Sequence, residues 1–244
     1  MELRLQKFIA QAGYCSRREA EVLIRRGDVL VNGNVAVIGT KIDPSKDHVK
    51  IYGQKIKSNF KPHVIVFHKD KGILTRQSHD PKNISGTLFQ FLRKTLPDNL
   101  KAAGRLDRDA EGLVVLTNVG EIQKRLSSKK YPLERRYRVK IDGHMDVKKL
   151  SRIKNSKIQL EERKVHVLDC SITSSTQGKQ WLELTTYEVT NRAPRKIMEH
   201  FGHPVDRLIR EEIGPLNIKG LKKNTYRMLS LSEIKELEKT LGIQ

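Results

Sequence analysis

Apolar residues at Leu5, Phe8, Ile9 and Ala12 recur at i, i+3, i+4 and i+7, and Gly13 stands where a helix of that phase stops. Ser16-Arg17-Arg18-Glu19 follows as a capping box, in which the serine hydroxyl and the glutamate carboxylate satisfy free N–H groups at a helix start. Ala20, Leu23 and Ile24 supply the apolar stripe of this second helix, and Gly27 ends it. Val29-Leu30-Val31, the pair Asn32-Gly33 and Val35-Ala36-Val37 then read as a hairpin, because both turn residues tolerate positive φ. His48 to Tyr52 alternates as a further strand. Residues 53–62 are polar and end on Pro62, which reads as a linker.

Beyond the linker the grammar changes. Val64-Ile65-Val66-Phe67 is a continuous apolar run, the mark of a buried strand. Residues 76–86 form a polar loop rich in turn formers, and residues 87–94 place Leu88, Phe91 and Leu92 on one helical face. The run Gly112-Leu-Val-Val-Leu-Thr117 predicts a core strand, and residues 120–126 a short helix. Tyr137 to Ile141 and Lys179 to Leu184 predict strands, with Trp181 assigned to core packing. Residues 191–201 predict a helix with Pro194 in its first turn, Ile197, Met198 and Phe201 inward, and Gly202 at its end. Ser230-Leu-Ser-Glu233 repeats the capping box before a stripe of Ile234, Leu237 and Leu241. Strands without regular β-α-β alternation indicate an α+β fold, split into a small unit at residues 1–58 and a larger one at residues 62–244.

Charge adds the first functional constraint. Lys and Arg total 48 against 28 Asp and Glu, a formal net charge of +20 over 244 residues. Solubility needs a net charge of only about 2–8, so the excess points to a polyanionic partner. On the two N-terminal helices the polar faces carry Arg4, Lys7, Arg17, Arg18, Arg25 and Arg26 with almost no acid to balance them, the composition of a phosphate-binding surface. Cys15 and Cys170 cannot build a disulfide framework, and a reduced, cytoplasmic compartment is expected. Charges at Glu2, Arg4 and Lys7 break the apolar run a signal peptide needs, and no stretch approaches the roughly 20 apolar residues of a membrane span.

The densest chemistry lies in residues 104–120. A short polar run flanked by Gly104 and Gly112 feeds directly into the apolar strand, which places Asp107 on a loop held by a rigid element. Asp107, Asp109 and Glu111 alternate, so an extended backbone would put the three carboxylates on one face. Such a set could hold a divalent metal, as in a nuclease, or could consist of surface charges paired with Arg105 and Arg108. Two basic segments are candidates to face the loop: Glu134 to Val139, and Asn191 to Lys196 at a helix start, where the dipole favours an anion. His200-Phe-Gly-His203 has the H-x-G-H form of one tRNA synthetase class, but no nucleotide-binding half precedes it. The eight histidines show no paired ligand spacing, two cysteines cannot make a structural zinc site, and no P-loop or dinucleotide fingerprint occurs.

Gly104-Arg-Leu-Asp107, followed by Glu111-Gly112-Leu113 and Leu116-Thr117-Asn118, resembles the RsuA-type rRNA pseudouridine synthases over nearly the whole chain. Arg4-Leu5-Gln6-Lys7, Ser16 to Glu21 and Val31-Asn32-Gly33 resemble the S-four RNA-binding domain, an αL motif. The resemblance implies a catalytic domain built on a mixed, mainly antiparallel sheet with flanking helices. It implies a monomer that acts without a cofactor on ribosomal RNA or a pre-ribosomal particle, isomerising one uridine by base flipping. Residue by residue, it puts Asp107 on the essential aspartate and Arg105 on an arginine that fills the gap left by the flipped base. Tyr137 falls on the tyrosine that stacks on the target ring, Arg195 on the arginine that pairs with the aspartate and holds it ionised, and Arg192 beside it on the substrate. Ala110, Val119, Thr190 and Pro194 depart from the family pattern, and residues 213–229 lean toward the large-subunit members. The residues themselves leave two alternatives: a metal-dependent RNA nuclease using Asp107, Asp109 and Glu111, and a non-catalytic ribosome-assembly protein.

Overall fold

The computed structural model describes residues 2–57, 60–75, 86–93, 96–97, 99–154, 156–160, 163–187 and 192–243. The chain forms two compact units, residues 1–62 with 94–100, and residues 63–93 with 101–244.

In the first unit, β1 (Leu3–Arg4) leads into α1 (Leu5–Gln11) and α2 (Arg17–Arg26). Then come β2 (Val29–Val31), β3 (Asn34–Val35), β4 (Lys41–Ile42), β5 (Val49–Ile51) and β6 (Gln54–Ile56). Strand β1 pairs with β4, and the other four form a sheet in the order β3-β2-β5-β6. The capping box closes as the sequence implies: Glu19 N donates to Ser16 Oγ at 3.3 Å and Ser16 N to Glu19 Oε2 at 2.7 Å, while Gly27 ends α2 at φ 80°. Asn32 and Gly33 take φ 53° and 89° in the hairpin, and the Asn32 side chain reaches across to Asp47 and to the His48 amide at 2.8 Å each. Leu5, Phe8, Ile9, Ala20, Ile24, Val29, Val49 and Ile51 pack into one core. The linker reading needs correction. Gln54–Ile56 is an edge strand on β5, and its short polar sequence offers only Ile56 to a buried side, too little for a visible alternation.

The second unit begins with β7 (Val64–Lys69), a 3-10 turn (Leu88–Phe91), β8 (Lys101–Ala103), β9 (Glu111–Thr117), α3 (Gly120–Leu126) and β10 (Arg135–Asp142). It continues through α4 (Val147–Ile153), β11 (Lys157–Leu160), β12 (Arg163–Thr176), β13 (Lys179–Thr186) and α5 (Ala193–His200). It closes with β14 (Val205–Ile213), β15 (Leu216–Asn217), β16 (Tyr226–Met228) and α6 (Leu231–Thr240). One sheet runs β11-β12-β13-β10-β14-β9-β7-β16, with β15 added to β14 and β8 to β9. Its strand pairs are antiparallel except β14 against β9. Every residue of β9 is buried, which explains its unbroken apolar sequence, whereas β10 and β13 alternate buried and half-exposed positions. The second capping box also forms, and Ile234 and Leu237 of the last helix, with its cap Leu241, share a core with Val64, Val66, Leu113 and Val115.

Of the helix expected over residues 87–94, the described residues 87–93 form only a 3-10 turn at Leu88–Phe91, and residue 94 lies outside the described residues. The helix of residues 191–201 is observed as Ala193–His200 with Ile197 and Met198 buried, Phe201 being its half-buried cap; Asn191 lies outside the described residues, as do residues 76–85 of the polar loop. Trp181 is not in the core. It is half-buried on a sheet face beneath Arg138, Lys140 and Arg207, whose charged groups lie 5.1, 5.7 and 5.8 Å from its ring.

Candidate active site

The loop 104–110 connects β8 to β9 and carries Asp107. Gly104 enters it at φ 83°, a left-handed value that favours glycine. Gly112 leaves it at φ 110°, where a Cβ would stand 2.1 Å from the Arg210 carbonyl oxygen. These two glycines let the chain make a tight turn and then run directly against β14.

Asp107 does not sit on an extended run. Residues 108 and 109 turn, and Ala110 N donates to Asp107 O at 3.1 Å. The three carboxylates therefore separate. The Asp107 side chain is 17% exposed, Asp109 is exposed, and Glu111 is buried in β9. Glu111 is occupied by cations: Arg207 donates to it through Nε at 2.6 Å and Nη2 at 2.8 Å, and Lys223 approaches at 2.7 Å. Lys223 also reaches Asp70 at 2.8 Å. The hydrogen bond from Arg207 holds Glu111 far below the ordinary carboxylate range, at about 2. Among the described residues no group of three His, Cys, Asp or Glu side chains converges on a metal position. The geometry the nuclease reading required is absent, since the turn at residues 108–109 removes the shared face.

The cation beside Asp107 is Arg192, with Nε 3.7 Å from Oδ2 and a side chain 65% exposed. Arg192 takes φ 64° as it caps α5, an uncommon conformation for a non-glycine residue. This differs from the expected Arg195–Asp107 pair. Arg195, one turn further, donates instead to Val205 O at 2.8 Å and Asp109 O at 3.4 Å, so it holds the loop's backbone and not the carboxylate.

Arg105 is exposed at the loop's start. Tyr137 is buried on β10 and lies in register with Arg210 of β14. Arg210 in turn donates through Nη1 to Arg105 O at 3.2 Å and through Nε to Leu113 O at 2.9 Å, so Tyr137 and the Asp107 loop meet through this buried arginine. Arg135, part of the basic segment expected to face the loop, is spent on structure: it donates to Leu133 O and Leu126 O inside the fold. Arg136 and Arg138 pair with Glu212 and Glu211 on the exposed sheet face.

Sequence reasoning missed Lys69 and Arg210. Lys69 is 0% exposed and donates to Asp70 O at 2.9 Å and Arg108 O at 3.2 Å. Burial pushes its ammonium down to about 8. The available signal was a lysine continuing the apolar run of Val64 to Phe67, and an arginine at the end of Leu208-Ile209; both are charges where the strand pattern calls for buried residues.

In the first unit, Arg4, Arg17, Arg18, Arg25 and Arg26 are exposed and Lys7 is half-exposed. None of the six has an ion-pair partner among the described residues, which leaves their charge available to phosphates.

Residues 63–200 match the family model described as RNA pseudouridylate synthase, and residues 3–49 match the S4 domain. The chain is 37% identical over 237 residues to the Ribosomal large subunit pseudouridine synthase B of Bacillus subtilis, covering 96% of this chain and 95% of that one. It is 34% identical over 245 residues to an uncharacterized RNA pseudouridine synthase of Aquifex aeolicus, covering 100% of this chain and 97% of its relative. A solved structure described as a pseudouridylate synthase superposes with a TM-score of 0.64 at 26% identity, covering 96% of this chain and 99% of the other.

Proposed function

The chain belongs to the RNA pseudouridylate synthase family and bears an S4 domain, and on that premise we propose that it isomerises one uridine of ribosomal RNA to pseudouridine with Asp107 as the catalytic carboxylate. The observation that supports Asp107 most is its setting. It is a mostly covered aspartate on a loop fixed at consecutive backbone atoms, with one arginine beside its carboxylate.

The reaction breaks the N1–C1′ bond, turns the uracil and joins C5 to C1′; C5 gives up its proton and N1 gains one, so substrate and product are isomers. No oxidant, reductant or group donor enters the balance. A carboxylate serves such a reaction by attacking the sugar or by taking a proton from it, and both routes need an ionised oxygen held at one place. The target ring must leave its stack, at a cost of a few kcal/mol. Arg105, exposed at the loop, would occupy the vacated stack, and Tyr137 would lie against the flipped ring, where an aromatic stack contributes about 1–3 kcal/mol. Arg192 and Arg195 would border the substrate from the start of α5. The six cations of α1, α2 and their caps would grip neighbouring phosphates and choose the site.

The name of the Bacillus subtilis relative makes large-subunit rRNA the first substrate to test. A monomer in a reduced, cytoplasmic compartment goes with the proposal, and sedimentation of the purified protein tests the first of these. The decisive experiment uses transcripts carrying tritium at uracil C5, because rearrangement releases that label. Asp107→Asn is expected to bind RNA and release none; label released at the normal rate would end the assignment.

A further inference from the structure

Each backbone carbonyl from residue 105 to residue 109 accepts a hydrogen bond. Arg210 donates to Arg105 O at 3.2 Å, and Thr75 Oγ1 to Leu106 O at 3.4 Å. Ala110 N donates to Asp107 O at 3.1 Å, and Asp109 O takes Arg195 at 3.4 Å. Arg108 O accepts from both Gly72 N at 2.8 Å and Lys69 Nζ at 3.2 Å. Loops of this kind ordinarily leave carbonyls to water; here, apart from Ala110 of the loop itself, the donors come from β7, the segment after it, α5 and β14.

Two of these donors are unusual. Lys69 and Arg210 are 0% and 4% exposed, and neither has a carboxylate within ion-pair distance among the described residues. Arg210 Nη2 is buried with no hydrogen-bond partner among the described residues. An uncompensated buried cation is strongly unfavourable, and its charge is offset here only by carbonyl dipoles and by more distant carboxylates. Two such cations therefore concentrate on the carbonyls that bracket Asp107.

We propose that Lys69 and Arg210 are positioning residues for the isomerisation, a clamp that fixes the Asp107 carboxylate by holding Arg108 O and Arg105 O on either side of it. The two residues touch no reacting atom; they act through the loop. The clamp is charge-assisted, and charge-assisted hydrogen bonds are roughly twice as strong as neutral ones. Loss of the Lys69 proton weakens one jaw. The charged groups within range of Lys69 are Asp70 beyond the end of its strand, Glu111 on β9, Arg210 on β14 and Asp107 on the loop. Burial outweighs the three acids and brings the ammonium to about 8, so the clamp loosens in a mildly alkaline range instead of near the ordinary lysine value.

The inference rests on Asp107 being the reacting carboxylate, but its first test does not read activity. Hydrogen exchange of the peptide spanning residues 104–111, corrected for intrinsic rates, is expected to lose about 10-fold in protection between pH 7 and pH 9 relative to β9, a loss worth one decade in the loop's closing equilibrium. Equal protection at both pH values overturns the clamp, whatever Asp107→Asn does to turnover. The second test compares kcat and KM across the same range. Lys69→Arg stays charged, so its alkaline fall in kcat is expected to shift upward by about one pH unit or more, with KM unchanged. Lys69→Met is expected to lose about 10- to 100-fold in kcat at pH 7. An alkaline limb identical in wild type and Lys69→Arg overturns the role of the Lys69 charge, because a merely structural lysine would alter melting without moving that limb.

Discussion

Gly112→Ala probes the junction on which the site depends. A Cβ at this position meets Arg210 O at 2.1 Å, Arg210 N at 2.7 Å and Arg210 C at 2.8 Å, all backbone atoms of β14. An unstrained contact is about 3.5–4.0 Å, so β9 and β14 must separate by more than an ångström. That separation falls on the register pair Arg210↔Gly112, within the parallel pairing of the two strands. The backbone also sits at φ 110°, which costs a residue with a Cβ about 1–3 kcal/mol. Each ladder hydrogen bond broken adds about 1 kcal/mol. We expect a total loss of about 3–6 kcal/mol, a large share of the roughly 5–15 kcal/mol that holds a domain. The chain has a single tryptophan, Trp181, and it lies in the second unit, so its fluorescence follows unfolding of that unit. Urea titration should show the midpoint move far down or the transition vanish, with pseudouridine formation abolished alongside, because Arg210 also holds Arg105 O. A shift below about 0.5 kcal/mol, the size of an inert surface change, would refute the argument that β9 leaves the loop through a position only glycine can fill.

Other outcomes follow from the same geometry. Glu111 is held at about 2 by Arg207 and Lys223; its folded value is depressed, so its stabilisation of about 3 kcal/mol is present above its ordinary range near 4.5 and lost as pH falls toward 2. Glu111→Gln should lower stability at neutral pH and flatten the acid limb between about pH 5 and pH 2; an unchanged acid limb in that variant would contradict the reading. Arg192→Ala removes an exposed ion pair of 3.7 Å and should reduce kcat by no more than about 10-fold, whereas Arg195→Met removes the hold on Asp109 O and Val205 O and should cost more; the reverse order would restore Arg195 as the direct partner of Asp107. Replacing Arg17, Arg18 and Arg25 with alanine should lower the slope of log binding constant against log salt by about one for each phosphate that is no longer neutralised, and an unchanged slope would remove α2 from the RNA surface.

Much of this protein is written locally. The capping boxes at Ser16 and Ser230, the Asn32-Gly33 turn and the buried run of Val64 to Phe67 are legible because each depends on neighbours within a few residues. Asp107 is legible too, since its glycines and the strand after it lie in one short segment. Strands β11, β12 and β14, by contrast, carry charges among their apolar residues and announce themselves poorly, and β6 hides in a polar stretch that reads as a linker.

What the sequence alone determined was the chemistry on offer: a basic chain, a motif centred on one aspartate, and arginines beyond it. Only the tertiary structure decided how those groups divide the task. Asp107, Asp109 and Glu111 are two residues apart along the chain, yet a turn at 108–109 sends one toward Arg192, one to solvent and one under Arg207. Arg192 caps α5 in a left-handed conformation and Arg195 lies within the helix, and the carboxylate of Asp107 and the carbonyl of Asp109 are divided between them. Lys69 and Arg210 lie 38 and 103 residues from Asp107 in opposite directions along the chain. No local pattern joins them to it, because the hydrogen bonds that do so exist only once β7, β9 and β14 lie side by side in one sheet.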